Sequence, residues 1–383
     1  MKNKSLRNIY YLCPCSAVPC GGVQKIYQHV DILNQNGFNA YVLHPKKGFR
    51  YRWRENKTNL AYFEPNFRSR RKSASALAMN IVRKLLKKPL SLASLTVTLD
   101  DFVENRNICF LADNNQKVCL PKLNQQDVIV FNDYIVPEFT SIIGKFPSVI
   151  LNFTCYTTFH GITIKGALDR VSSLPYDQRS LACIVGSKDT ENYLRFVFSE
   201  LDYHICPFGV DTEQFIFNNK KERKIAFMPR KCPDHLVQII SILRERNYFP
   251  NWTFISLENM PQEQLINEMR SSALFLSTSY LEGFGLPPAE ALSSGALVVG
   301  YDGEGGKEFF NPPYAHSIPH GNIVAFVNKV EEMMALFEND REQFIRTGKM
   351  GSDFIASKYS IAEENRSIVK AWSQIAAAKN KMN

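Results

Sequence analysis

No apolar run approaches the roughly 18 residues that a membrane-spanning helix needs, so no span is read from the sequence. Nothing resembles a repeat or a low-complexity tract, and the composition, 45% hydrophobic and 22% charged, excludes a disordered chain. The nine cysteines include no CxxC pair, and an odd number of them points to reduced thiols in a cytoplasmic protein rather than a disulfide framework. Cys13, Cys15 and Cys20 lie close together, but no second Cys/His pair stands near them at zinc spacing, so no metal site is predicted. The GxGxxG fingerprint of a dinucleotide oxidoreductase is absent. No known nucleic-acid module with base-stacking aromatics accompanies the basic residues, so nucleic acid is not a predicted partner.

Cations are in surplus: the formal net charge of +9 favours anionic partners such as nucleotide phosphates or acidic lipid surfaces. Part of that charge lies in residues 68–88, where Arg68, Arg70, Arg71 and Lys72 precede an apolar stretch flanked by Arg83, Lys84, Lys87 and Lys88. Two readings stand open there: a core helix with a solvated basic face, or an amphipathic helix resting peripherally on an acidic membrane surface. Near Met1, Lys2, Lys4 and Arg7 precede a short apolar stretch that Pro14 interrupts, which reads as a first strand (Asn8–Leu12) rather than a leader.

From that strand the chain runs into a loop ending in Gly21-Gly22. A helical pattern follows (Val23, Ile26, Tyr27, Val30, Leu33), closed by Gly37, and then a second strand. Strand, glycine loop, helix and strand make one βαβ unit, and hence a parallel sheet. Further short apolar runs occur at Asp127–Phe131, Ser148–Phe153 and Leu181–Val185. A second alternation of strands and helices begins near Ile225, and Ser360–Ala378 reads as one long helix. The predicted organisation is α/β: two Rossmann-like, doubly wound domains, 1–206 and 207–359, facing each other across a cleft, with the helix near 360–378 available to pack back on the first.

The chemistry concentrates in STSYLEGFGLPPAEALSSGALVVG, Ser277 to Gly300. A buried strand ends near Ser277 and a glycine-containing loop leads into a helix whose first turn holds Pro287 and Pro288, where proline is tolerated. Gly283 and Gly285 let backbone approach a ligand, and the helix start offers N–H groups and a positive dipole end to an anion, a diphosphate being the natural occupant. Glu290, about one turn into that helix, would repel phosphate; its useful role is to accept hydrogen bonds from vicinal hydroxyls such as those of a ribose. Glu282, eight residues earlier, is placed toward the sugar end of the same ligand. Read alone, each pair has a bland alternative: a solvated helix start for the glutamates, a helix entry for Gly21-Gly22.

Glu282 and Glu290 match the Glu-x7-Glu motif of the retaining GT-B glycosyltransferases, and the surrounding segment resembles the donor-site signature of family 4. Cys20-Gly21-Gly22 resembles that family's N-terminal glycine loop, CPFGVDTEQF (Cys206–Phe215) its inter-domain signature, and Gly305-Gly306-Lys307-Glu308 its Gly-Gly-x-x-Glu loop. The resemblance implies a glycosyltransferase acting on a nucleotide-sugar donor and a saccharide or lipid-linked acceptor, without metal or other cofactor, in surface polysaccharide or glycolipid synthesis. It implies that Glu290 binds the ribose, that Glu282 and Glu308 lie near the donor sugar, and that backbone around Phe284, Gly285 and Leu286 cradles the diphosphate. Arg230 matches the usual arginine; the usual lysine place, 235, is His, and Lys231 stands directly after the arginine. The usual N-terminal-domain histidine is displaced, leaving His160 and Asp133 as candidates. A nucleotide-sugar epimerase or phosphorylase of the same architecture, and a catalytically silent sugar-nucleotide-binding subunit, are the competing functions.

Overall fold

The computed structural model describes residues 6–16, 21–45, 49, 51, 58–63, 110–113, 117–119, 123–132, 146–160, 162, 164 and 180–382. The basic segment 68–88, Asp133 and Cys20 lie outside these residues.

β1 (Ile9–Leu12) is buried at every position, the pattern of a strand covered on both faces. α1 (Gly21–Gln35) buries Val23, Ile26, Tyr27, Val30 and Leu33 on one face and ends at Gly37, whose φ of 81° is the left-handed stop that glycine adopts without penalty. There follow β2 (Ala40–His44), β3 (Leu60–Phe63), β4 (Phe110–Asp113), β5 (Lys117–Cys119), β6 (Val128–Asn132) and β7 (Ser148–Asn152). A 3-10 turn (Cys155–Thr157), β8 (Ser180–Val185), α2 (Lys188–Val197) and β9 (Tyr203–Ile205) complete the first half. These strands form one sheet in the order β5-β4-β3-β2-β1-β6-β7-β8-β9. It is parallel except at one edge, where β3–β4 and β4–β5 run antiparallel.

Between β9 and β10 (Glu222–Phe227) the chain changes sheet. The second half runs α3 (Pro233–Arg246), β11 (Thr253–Ser256), α4 (Gln262–Ser271), β12 (Ser272–Ser277), α5 (Leu286–Ser293), β13 (Leu297–Gly300), β14 (Ala315–Ser317) and α6 (Ile323–Asn339). Its sheet is wholly parallel, ordered β11-β10-β12-β13-β14. Strand order reverses between β10 and β12, and in open parallel sheets such a switch point leaves a crevice outside the carboxyl ends of the strands.

Two helices close the chain. α7 (Arg341–Lys358) packs on α5, and α8 (Ile361–Met382) returns to the first sheet, lying on α1, β8 and β9. Ile368, Ala371, Trp372 and Ile375 of α8 join the core formed by α1 and one face of that sheet. Fully burying one such side chain stabilises by about 1.5–3 kcal/mol, so this return is a substantial part of the first half's core. Val210, leaving the first sheet, pairs in parallel with Ser360, arriving back, and the Val210 amide donates to the Tyr359 carbonyl at 2.7 Å.

Candidate functional site

Three loops at the carboxyl ends of β10, β12 and β13 are bonded to one another around the switch point. Thr278 Oγ1 donates to the Lys231 carbonyl at 3.0 Å, and Ser277 Oγ donates to the Tyr301 carbonyl at 2.8 Å. The Glu282 amide donates to the Gly303 carbonyl at 2.8 Å, and the Gly305 amide to the Glu282 carbonyl at 3.2 Å. The glycines let these backbones touch: a Cβ on Gly305 would lie 2.3 Å from the Gly283 carbonyl oxygen.

Gly283 also carries the contact between the two halves. A Cβ there would meet the Phe153 carbonyl oxygen at 1.7 Å, and only a residue without one leaves room. Gly22 of α1 faces the ring of the same Phe153, with a built Cβ at 3.4 Å. The glycine loops of the two halves, far apart in sequence at Gly22 and Gly283, therefore meet on one residue just after β7. Phe208 stacks edge-on between Phe153 and Phe284, with centroids 5.3 and 5.7 Å away.

Gly285, at φ 93°, caps α5 in the left-handed region. Pro287 and Pro288 occupy that helix's first turn and have no N–H, so Leu286 alone offers an amide among its first three residues. The dipole end remains, yet the helix supplies fewer donors than an ordinary N-terminus. Phe284 is buried among Phe208, Phe309 and Tyr359, which fixes the loop's backbone.

Glu290, the fifth residue of α5, is the electrostatically distinctive group. No described residue forms a hydrogen bond or ion pair with its carboxylate. Burial pushes its carboxyl up to about 7; the Lys25 and Arg230 charges act in the other direction and Asp211 adds to the rise. Arg230 is exposed at the rim. Lys231 pairs with Glu282 (Nζ to Oε1, 2.7 Å) and donates to the Leu281 carbonyl at 3.0 Å. Position 235 is turned to another partner: His235, in the first turn of α3, has Nδ1 at 2.8 Å from the Tyr301 hydroxyl.

Glu308 serves a contact between the halves. One carboxylate oxygen accepts from the Lys188 amide, the first N–H of α2, and the other accepts from the Tyr359 hydroxyl at 3.0 Å. A carboxylate at a helix N-terminus satisfies an orphan donor and complements the dipole. His160 is exposed on the turn after Cys155–Thr157, its amide bonded to the Thr157 carbonyl at 2.9 Å. No described contact joins it to Glu282, Gly283 or Glu290. Gly21 opens α1, exposed and with nothing within 4 Å of a built Cβ.

Sequence reasoning overlooked Lys25. It is buried in α1, where Nζ lies 2.8 Å from both oxygens of the buried Glu364 of α8, donates to the Gly209 carbonyl at 3.3 Å and stands over the Phe208 ring. Its signal was a lysine interrupting the apolar register next to Ile26 and Tyr27. Asp211, of the Gly-Val-Asp segment, was read as part of a signature but not as a charge acting on Glu290.

Two parallel-sheet α/β halves apposed at their glycine loops define the GT-B fold, and solved structures agree. The sucrose-phosphate synthase of Thermosynechococcus elongatus superposes with a TM-score of 0.65 at 13% identity, covering 97% of this chain and 100% of that one. TarM gives 0.60 at 11% identity, covering 98% and 100%, and the HepE protein of Anabaena, in complex with UDP and glucose, 0.59 at 11%, covering 96% and 99%. No curated protein matches the sequence. Residues 242–350 match the family described as glycosyl transferases group 1. That segment lies in the second half, and the GT-B fold of these solved structures extends over the whole chain.

Proposed function

We propose that this chain transfers a sugar from a nucleotide-sugar donor to a saccharide or lipid-linked saccharide acceptor, with retention of anomeric configuration, in the manner of family 4. The observation that supports this best is Glu290: a half-buried carboxylate one turn into α5, raised toward neutrality and met by no described partner. A buried polar group without a partner costs free energy unless a ligand supplies one. Vicinal ribose hydroxyls would donate to it, and the uridine diphosphate in the HepE complex makes uridine the first base to test.

In this reading the diphosphate lies against Gly21, Gly22 and the Gly285–Leu286 turn. With Pro287 and Pro288 withholding amides, Arg230 and Lys231 carry more of the charge than in a helix start rich in N–H groups. As the anomeric C–O bond to the diphosphate breaks, negative charge grows on the leaving oxygen and positive charge on the anomeric carbon. Cations fixed at the diphosphate stabilise that separation, so no metal is required. The acceptor oxygen forms the new bond to the anomeric carbon and gives up its proton, for which the departing diphosphate is the nearest strong base. Lys231 would turn from Glu282 to the phosphates when the donor enters, leaving Glu282 to accept from sugar hydroxyls.

The six cysteines whose side chains are described are free thiols, in keeping with a reducing compartment. No described helix is long and apolar enough to cross a membrane. A peripheral seat on an acidic bilayer through residues 68–88, and a place in surface glycoconjugate synthesis, belong to the same proposal. The test is a panel of nucleotide sugars followed by thermal shift and by nucleotide release, with and without acceptor oligosaccharides. Donor-dependent stabilisation plus acceptor-dependent release is the expected result; stabilisation without release under any acceptor would leave a silent binding subunit, and no response to any nucleotide would remove the reading.

A further inference from the structure

In the loops after β10 and β14 and at the start of α3, Cys232, His235 and His320 bring one potential ligand atom each to within 4.8 Å of the others. We infer that they form a binding site for a zinc-like divalent ion. The inference rests on different residues from the donor reading and needs no nucleotide.

Thiolate and imidazole are the ligands that zinc prefers. Bonds of about 2.3 Å to sulfur and 2.0–2.1 Å to nitrogen, set tetrahedrally, place ligand atoms roughly 3.3–3.6 Å apart. Cys232 Sγ and His320 Nε2 already stand 3.9 Å apart, within a small side-chain rotation of that spacing.

The neighbours orient the ligands. The Tyr301 hydroxyl lies 2.8 Å from His235 Nδ1 and accepts from the Gly321 amide at 3.3 Å. With Nδ1 donating to that oxygen, His235 is held in the tautomer that leaves the Nε2 lone pair for a metal, the arrangement found around most metal-bound histidines. The His320 ring is held against Tyr280, Tyr301 and His235, with centroids 4.8, 4.9 and 5.1 Å away. Cys232 sits at φ 46°, ψ 51°, just before α3, a backbone state that a non-glycine residue adopts at a cost.

Three protein ligands leave a fourth position, on the exposed His320 side, for water or a small anion. The bound ion would pin the β10–α3 loop, in which Cys232 directly follows Arg230 and Lys231.

The experiment uses the full chain, stripped with chelator and titrated with zinc against a chromophoric competitor, and separately with cobalt. One zinc equivalent and a cobalt–thiolate charge-transfer band are expected. Cys232→Ser should abolish the band, and Cys232→Ser and His320→Gln should each weaken zinc at least tenfold. Tyr301→Phe should cost about 10–100-fold by releasing the His235 ring. His320 is exposed, so its variant keeps the fold, and an unchanged thermal transition checks that. Cys15, whose Sγ lies 4.0 Å from His44 Nδ1, is the control thiol. No zinc uptake, equal uptake by wild type and His320→Gln, or a cobalt band lost in Cys15→Ser but kept in Cys232→Ser would each overturn the site.

Discussion

Both halves answer a buried lysine from within, Lys25 in the first and Lys221 in the second, and they differ in the charge left unanswered. In the first, Lys25 is enclosed and satisfied by Glu364, Gln28 presses on the same carboxylate at 2.7 Å, and His29 and His44 are buried in the neutral form. In the second, Glu290 is half-buried with no described partner, while Arg230, Lys231 and Glu282 stand at the rim. A buried charge matched within the protein is structural; one left unmatched at the mouth of a crevice is kept for something that arrives. Sorting charges by whether the fold already answers them separates scaffold from site without reference to any motif.

The sharpest way to break this contrast is Lys25→Ala. It leaves Glu364 buried with only Gln28 and the Gly209 backbone as partners, and the expected loss is about 3–5 kcal/mol in denaturant unfolding. A loss below 1 kcal/mol would mean that the pair is not structural. Gly283→Ala, against the Phe153 carbonyl, should separate the halves and lower transfer at least 100-fold, whereas Gly21→Ala, facing open space, should leave unfolding nearly unchanged. Calorimetry on Glu290→Ala should show nucleotide affinity weaker by about 10–100-fold, the worth of hydrogen bonds to a charged group.

Smaller effects come from pH. Glu290 has a folded value of about 7 against 4.5 ordinarily, so the folded state holds the proton more tightly. Its contribution to stability is complete below 4.5 and is lost as pH rises through about 7. Glu290→Gln should therefore stabilise the free protein at pH 8 by on the order of 1 kcal/mol, and by nothing at pH 4. Burial lowers His29 to about 3 and His44 to about 4, from 6.5, with Lys25 adding to the effect on His29. Their contribution has the opposite sign: present above 6.5 and lost as pH falls toward 4. Thermal midpoints of wild type and Glu290→Gln between pH 4 and 8 resolve the two. The smallest change belongs to His160→Ala, which should leave nucleotide affinity within twofold.

The segment from β12 to β13 was legible because each signal there is local: an apolar run, a glycine loop, prolines in a first turn, a second apolar run. β4, β5, β9 and β14 were not, since three or four residues carry too little periodicity. α7 escaped notice because Gly348 and Gly351 break its pattern. Their reason is tertiary: a Cβ on Gly348 would lie 2.3 Å from the Gly295 carbonyl and one on Gly351 3.1 Å from Tyr314, so they let α7 lie close on the loop after α5. Within the site, Glu282, Glu290 and the glycine loops were readable from spacing and resemblance. The Lys25–Glu364 pair and the Cys232–His235–His320 cluster were not, because their members come together only when distant strands do.

One long-range contact bears on how the chain is made. Trp372 Nε1 donates to the Tyr11 hydroxyl at 2.9 Å, with both side chains fully buried. A ribosome releases Tyr11 hundreds of residues before Trp372, so the sheet built first waits, one apolar surface uncovered, until α8 emerges. The second sheet needs no such wait, having its whole set of strands and α7 in hand before α8 is translated. The half that is synthesised first is therefore the half that finishes folding last.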